Sequence, residues 1–271
     1  MSAGSMRGNR GRKARTLAER LVTAVLGVPD VAMRASFVAV ALREHPREAI
    51  AEALDLVCQG AEQAEPEARE ALASIVQALL DPTADDVVQE LREEAAGRPL
   101  LALDRLLHRP AHRGRATVAS EPAVPDYGTG RPLTLGERKA LARKPDRASF
   151  DRLLRDPDPS VIRTLLRNPK LTEDDVIRLA SRRPANAAVN AEIARDPRWS
   201  TRARIRMALV LNPGTPVDIA VPLVPLLVRH ELRLVVQTTE TPAPVRAAAR
   251  ELLLRRPPKL GRSDDGEGNA H

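Results

Sequence analysis

The chain has 271 residues, a formal net charge of +7 and four aromatic side chains, and 29% of its residues are charged. So few aromatics, in a composition rich in Ala, Leu and Arg, argue against a β-sandwich or barrel, whose surfaces favour aromatic and β-branched side chains. The single cysteine, Cys58, excludes an internal disulfide and a multi-cysteine metal site and indicates a reducing compartment. We therefore expect an all-α protein.

The first 15 residues carry five basic, no acidic and few apolar side chains, and we expect them to be a disordered basic tail. The charged pair Glu19-Arg20 follows at once and would interrupt the apolar core of a secretory signal. The longest apolar run, 219–228, is about half the roughly 20 residues that a membrane helix needs. These observations predict a cytoplasmic protein that does not contact a membrane.

Residues 16–108 form an acidic segment, with eight basic and seventeen acidic side chains. Apolar residues recur at helical spacing between Gly and Pro punctuation, which predicts six helices in a bundle or irregular repeat. The stripe Ile50, Leu54, Val57 and Cys58 is one such face, and it makes Cys58 a core residue. The helix over 31–44 is apolar nearly all round, which predicts that neighbours cover it on both sides.

Residues 109–133 lack periodicity and are rich in Pro and Gly, so we expect a flexible linker. Thr134 and Glu137 then have the spacing of a capping box, which predicts that helices resume. Residues 134–256 form a basic segment, and residues 134–260 together carry an excess of eleven positive charges. The tail, 257–271, is expected to be disordered.

The basic segment contains an internal repeat of about 40 residues. Three residue pairs ending in Pro recur in the same order at offsets of 39, 40 and 44 residues: Lys144-Pro145, Asp156-Pro157 and Asn168-Pro169, then Arg183-Pro184, Asp196-Pro197 and Asn212-Pro213. A residue before Pro is disfavoured in the α conformation, so each pair predicts a corner between short helices. This period is typical of HEAT and armadillo units, which bury their apolar faces only by stacking.

The run DPDPSVIRTLLRNPKLTEDDVIRLASRRP resembles the leucine-rich repeat variant and HEAT-like families of bacterial α-solenoids. The resemblance covers roughly residues 131–256. It implies a short α-solenoid that serves as a binding scaffold and brings no catalytic motif. Some leucine-rich repeat variant proteins carry a cysteine-ligated iron–sulfur cluster, and the single Cys58 means that this feature cannot be transferred to the present chain.

No residue constellation in the sequence points to catalysis or to a cofactor. The five histidines are scattered and lie at no metal-ligand spacing. The acidic pairs that follow Thr83 and Thr172 have the spacing expected for helix capping and favourable interaction with the helix dipole. We therefore expect a protein that is not an enzyme and needs no cofactor or metal.

One stretch, RDPRWSTRARIR over 195–206, holds five arginines and the only tryptophan. Arginine beside tryptophan is enriched at binding hot spots and suits stacking on bases. The candidate binding surface is Arg198, Trp199, Arg202 and Arg206, with Arg163 and Arg167 on a neighbouring helix. In the alternative, Trp199 fills a gap between two repeats and the arginines lie over it.

The leading functional prediction is an α-solenoid scaffold that binds an acidic protein surface or segment through its arginine-rich face. An intramolecular version remains open, in which the acidic residues 16–108 dock on the basic residues 134–256 across the linker. The second class is a nucleic-acid-binding HEAT-like protein, since the sequence pI is about 10.4. The acidic first segment and the scarcity of aromatics argue against it.

Overall fold

The computed structural model describes residues 3–107, 124–144 and 147–256. Every regular element in these ranges is helical, which confirms the all-α prediction. Two short 3-10 helices, Pro82–Ala84 and Val224–Leu226, accompany sixteen α-helices. The α-helices are α1 (Ala3–Gly27), α2 (Val31–Glu44), α3 (Arg47–Glu62), α4 (Pro66–Leu79), α5 (Asp85–Gly97), α6 (Leu101–Leu106), α7 (Leu135–Arg143), α8 (Arg147–Leu153), α9 (Pro159–Leu166), α10 (Glu173–Ala180), α11 (Ala187–Arg195), α12 (Pro197–Ser200), α13 (Ala203–Leu211), α14 (Val217–Leu223), α15 (Arg229–Gln237) and α16 (Ala243–Arg255).

Helix α3 is the centre of the first half and packs against α1, α4, α5 and α6. Its stripe of Ile50, Leu54, Val57 and Cys58 is buried, as its spacing predicts. Six α-helices occupy residues 3–106, which matches the predicted number. The capping by Thr83 expected at the start of α5 is wrong, because this helix begins without a side-chain cap. Thr83 instead donates to the Asp81 carboxylate, which caps the 3-10 turn before α5.

Residues 3–15 of the expected disordered tail are helical in the structure, since α1 begins at Ala3, and residues 1 and 2 lie outside the described residues. The inner end of this stretch has a partner surface, because Ala14 is 5% exposed and continues the buried stripe of Ala18, Leu21 and Val25. Adding residues to an existing helix costs far less than nucleating one. The packed part of α1 therefore supports a helical extension that its own glycines and arginines would not start.

The two Asn-Pro corners of the predicted repeat make the same hydrogen bonds. The side-chain amide of Asn168 donates to the carbonyls of Ala142 (3.3 Å) and Arg143 (3.1 Å), at the end of α7. That of Asn212 donates to the carbonyls of Ala180 (2.6 Å), the last residue of α10, and Arg182 (3.2 Å), just after it. Each Asn also accepts, through Oδ1, from the backbone N–H two residues later. Each corner thus joins two helix ends in the same way.

The Asp-Pro corners also match. Asp156 and Asp196 each accept from the backbone N–H two residues further on, at 2.9 and 3.0 Å. The capping boxes expected at Thr134 and at Thr172 are both formed. The last apolar run is divided into α14, which includes Pro222, and a 3-10 turn, which includes Pro225, in line with the predicted kink or break. The assignment to a HEAT-like or leucine-rich-repeat-variant solenoid stays a prediction.

The described part of the predicted linker, residues 124–133, is packed rather than free. Tyr127 is 7% exposed, and its hydroxyl donates to Asp156 Oδ2 at 2.6 Å. The Arg138 guanidinium binds both oxygens of the same carboxylate, at 2.6 and 2.8 Å. This buried cluster fixes the entry of the chain into α7. The remaining linker residues, 109–123, and the predicted tail, 257–271, lie outside the described residues.

The two halves of the chain contact each other directly and share a continuous apolar core. Gln77 on α4 donates to the Ser200 hydroxyl at 2.8 Å, and Arg195 donates to the Leu80 carbonyl at 2.9 Å. Glu62 and Arg255 form an ion pair across the contact at 3.1 Å. Most of the arginines here donate to backbone carbonyls, so opposite charge is a small part of this contact. Reversible docking of one half on the other stays a prediction.

The helices in the described ranges include none that is both long enough and apolar enough to cross a bilayer.

Candidate basic surface around Asn168

Five exposed cations surround the Asn168 corner, and we call them the basic corner: Arg143, Lys144, Arg167, Lys170 and Arg198. The Asn168 side chain joins the end of α7, where Arg143 and Lys144 lie, to the corner that carries Arg167 and Lys170. The repeat corner itself therefore brings these two basic pairs together.

Arg198 enters the basic corner from α12. Its guanidinium donates to the Asn168 carbonyl at 2.8 Å and to the Leu171 carbonyl at 3.2 Å. A guanidinium has five N–H donors, so these two bonds hold the side chain in place without neutralising its charge. Among the described residues, no ion pair involves any of the five cations of the basic corner. The positive charge here is therefore available to a partner.

The equivalent corner at Asn212 carries less charge. Leu211 stands where the first corner has Arg167, and Gly214 stands where it has Lys170. A Cβ atom on Gly214 would lie 2.3 Å from the Cβ of Ala185, so this position has no room for any side chain. Both corners therefore have the same hydrogen bonds, and the second keeps Arg182 and Arg183 but has no cation in place of Arg167 or Lys170, with Arg183 paired to Glu240.

Trp199 is buried, so it is not available to a partner. It is 1% exposed, and its indole N–H donates to the Leu166 carbonyl at 2.9 Å. The guanidinium carbons of Arg198 and Arg202 lie 4.3 and 5.2 Å from the ring centre. This agrees with the alternative predicted from the sequence: Trp199, on α12, is buried with its indole bonded to α9, and arginines cover it.

Three of the other predicted arginines are also engaged within the chain. Arg163 forms a two-pronged ion pair with Glu192, at 2.5 and 2.7 Å, and this partner raises the pKa of Arg163. Arg202 pairs with Glu173 at 2.8 Å. Arg206 donates to the carbonyls of Ser200 and Thr201 and is largely buried, which lowers its pKa. Of the six predicted residues, the structure thus leaves Arg167 and Arg198 together in the basic corner.

Sequence reasoning missed Arg143, Lys144 and Lys170. Their positions in the sequence could have indicated them, because each lies within two residues of an X-Pro pair that ends a short helix. Cations are favoured at helix C-termini, where the dipole is negative, and successive corners of a repeat can bring such ends together. Identifying the group required knowing that Asn168 bonds to the end of α7.

Asp196 is an acidic group that interacts electrostatically with Arg167 and Arg198 of the basic corner. Burial raises its pKa above the usual value, while its backbone hydrogen bond to Arg198 and the charges of Arg198 and Arg167 act in the opposite direction. It is the counterpart of Asp156, which has a direct guanidinium partner in Arg138. Asp196 therefore offsets only part of the charge of the basic corner.

A second candidate site in the described part of the chain is a cavity beside Glu62. This cavity of about 220 Å³ lies between α6 and α16, but its buried acid, Glu62, is already bound by Arg105 and Arg255. No group of three or more His, Cys, Asp or Glu side chains in the described ranges is arranged to hold a metal ion. Comparison with known proteins found no matching family model, no matching curated protein and no matching solved structure.

Proposed function

We propose that this chain is a non-enzymatic helical scaffold, built in its second half from HEAT-like or leucine-rich-repeat-variant-like repeats, that binds an acidic protein surface or acidic segment in the cytoplasm. The observation that carries the proposal is the basic corner. Five exposed cations from two helix ends, the Asn168 corner and α12 meet there without a described ion-pair partner.

The fold fixes the backbone of the basic corner before a partner binds. The hydrogen bonds of Asn168 and Arg198 fix the relative positions of α7, α9 and α12. Binding then costs little ordering of the backbone, which preserves affinity. Clustered positive charge accelerates encounter with an acidic partner and makes binding weaken as salt rises.

Nucleic acid is the second candidate, since five clustered cations could also contact phosphates. Binding of single strands usually adds stacking of bases on aromatic side chains. Trp199, the aromatic residue beside Arg198, is 1% exposed and cannot take that role. This burial favours an acidic protein over nucleic acid.

The test is capture of partners from an extract of the source cells with the full chain, at 50 mM and at 300 mM salt. The test variant is Arg167→Glu with Lys170→Glu. The matched control is Arg233→Glu with Arg250→Glu, which reverses two exposed arginines on α15 and α16 that have no described ion pair. We expect an acidic protein to be retained at low salt by wild type and control and lost from the test variant.

Equal capture by all three proteins would contradict the proposal. A gel shift with random duplex DNA distinguishes the second candidate. If the wild type binds the duplex with a steep salt dependence and the test variant does not, the basic corner is a nucleic-acid surface instead.

A further inference from the structure

Helix α2 has an apolar face that the described residues leave partly exposed. Met33, Phe37 and Val40 are 64%, 39% and 52% exposed, and their spacing of four and three residues places them in one stripe. The opposite face, with Val38, Ala41 and Leu42, is buried. The expectation that neighbours cover α2 on both sides is therefore wrong for this face.

The exposed stripe is a cluster and not a scatter of single residues. Three of the eight large apolar side chains exposed in the described ranges lie on this one helix. Single exposed apolar residues are ordinary, whereas a contiguous patch is typical of an interaction surface. Ala32 and Ser36, which precede Met33 and Phe37, are small and exposed.

We propose that α2 pairs with α2 of a second copy of this chain in an antiparallel, two-fold symmetric contact. The symmetry axis passes between Ser36 and Phe37. Each Met33 then packs against Val40 of the second copy, and each Phe37 packs over the small Ser36. A two-fold interface uses the same patch on both copies, so the patch must be complementary to itself.

The charges of α2 are compatible with this condition and disfavour one neighbouring register. With the axis between 36 and 37, the exposed Asp30 of each copy, which caps its own α2, faces the exposed Arg43 of the other, which donates to the Thr83 carbonyl of its own chain. Moving the axis onto Phe37 would instead set Asp30 against Glu44, and like charges in contact disfavour a pairing. The helix has 14 residues and is therefore about 21 Å long. That is a contact at the low end of interface sizes, so we expect a weak dimer with a micromolar Kd.

Sedimentation equilibrium of the full chain tests the proposal. We expect the wild type to move from monomer to dimer as its concentration rises through the micromolar range. Phe37→Glu should raise the Kd at least tenfold, and Val40→Glu should do the same. The matched control is Leu101→Glu, which changes a side chain that is 63% exposed on α6 and should leave the Kd unchanged.

The dimer is overturned if the wild type stays monomeric at millimolar concentration, if Phe37→Glu associates like the wild type, or if Leu101→Glu weakens association equally. Circular dichroism checks that each variant is folded. If Phe37→Glu does not fold, the Kd of Val40→Glu provides the test instead. The Arg167→Glu with Lys170→Glu variant should dimerise normally. The outcome is therefore separate from that of the proposed acidic partner.

Discussion

Replacing Asp156 with Asn should destabilise the protein far more than the same change at the equivalent Asp196. The Asp156 side chain is 0% exposed and the Arg138 side chain only 10%. Arg138 reaches both carboxylate oxygens, and Tyr127 donates to one of them. An Asn at 156 offers one acceptor oxygen and no charge, so it leaves a buried guanidinium without its counterion. Removing one partner of a buried ion pair typically costs about 3–5 kcal/mol.

Asp196 has the same backbone hydrogen bond but no ion pair with any residue that the structure describes. An Asn side chain can still accept from the Arg198 N–H, which lies 3.0 Å from Asp196 Oδ1. We expect Asp196→Asn to change the free energy of unfolding by less than about 1 kcal/mol. In a domain of this size, about 1 kcal/mol shifts Tm by roughly 2–4 °C, so Asp156→Asn should lower Tm by about 10 °C.

Thermal unfolding of the full chain, followed by circular dichroism at pH 7, compares the two variants. Urea unfolding checks the result, because a pure stability change moves the midpoint and leaves the slope unchanged. If the two substitutions lower Tm equally, or if Asp156→Asn has no effect, the Tyr127, Arg138 and Asp156 cluster does not hold the structure as described.

Three further predictions follow from burial. The single Trp199 should emit at short wavelength and resist quenching by iodide, because it is 1% exposed; emission typical of water-exposed indole would show that it lies on the surface. Cys58 should react with a thiol reagent only after unfolding, because burial raises its pKa; rapid reaction in the native protein would contradict this. Burial also raises the pKa of Asp196 above its usual value of 3.8. At a pH between the unfolded and the folded pKa, the folded protein therefore keeps a proton on Asp196 that the unfolded chain has released. The raised pKa therefore destabilises the wild-type fold increasingly as pH rises from about 3.8, and Asn at 196 removes this effect. The Tm of Asp196→Asn relative to wild type should increase over the same pH range. A Tm difference that does not change with pH would rule out the raised pKa.

Local features of the fold could be predicted from the sequence because local chemistry determines them. The capping boxes at Thr134 and Thr172 need only residues three apart, and the structure forms both. The recurrence of Asn168 and Asn212 marked the helix corners, and both amides make the same pair of contacts. The break at Pro222 and Pro225 likewise follows from the missing N–H of proline.

The site depended on tertiary contacts that the sequence does not display. Trp199 and its neighbouring arginines resemble a binding motif in the sequence. In the fold, however, the indole is buried and donates to a backbone carbonyl on α9. Residues 124–133 have the composition of a linker, yet Tyr127 finds Asp156 about thirty residues later. The basic corner could not be assembled without knowing which helix ends meet.

The most direct test of the proposed function is the salt dependence of partner binding, measured by titrating the purified captured protein into the full chain. We expect the wild-type affinity to fall steeply as salt rises from 50 to 300 mM. Arg167→Glu with Lys170→Glu should bind weakly at every salt concentration, and Arg233→Glu with Arg250→Glu should follow the wild type. Binding that is insensitive to salt, or that both double variants weaken equally, would contradict a role for the basic corner.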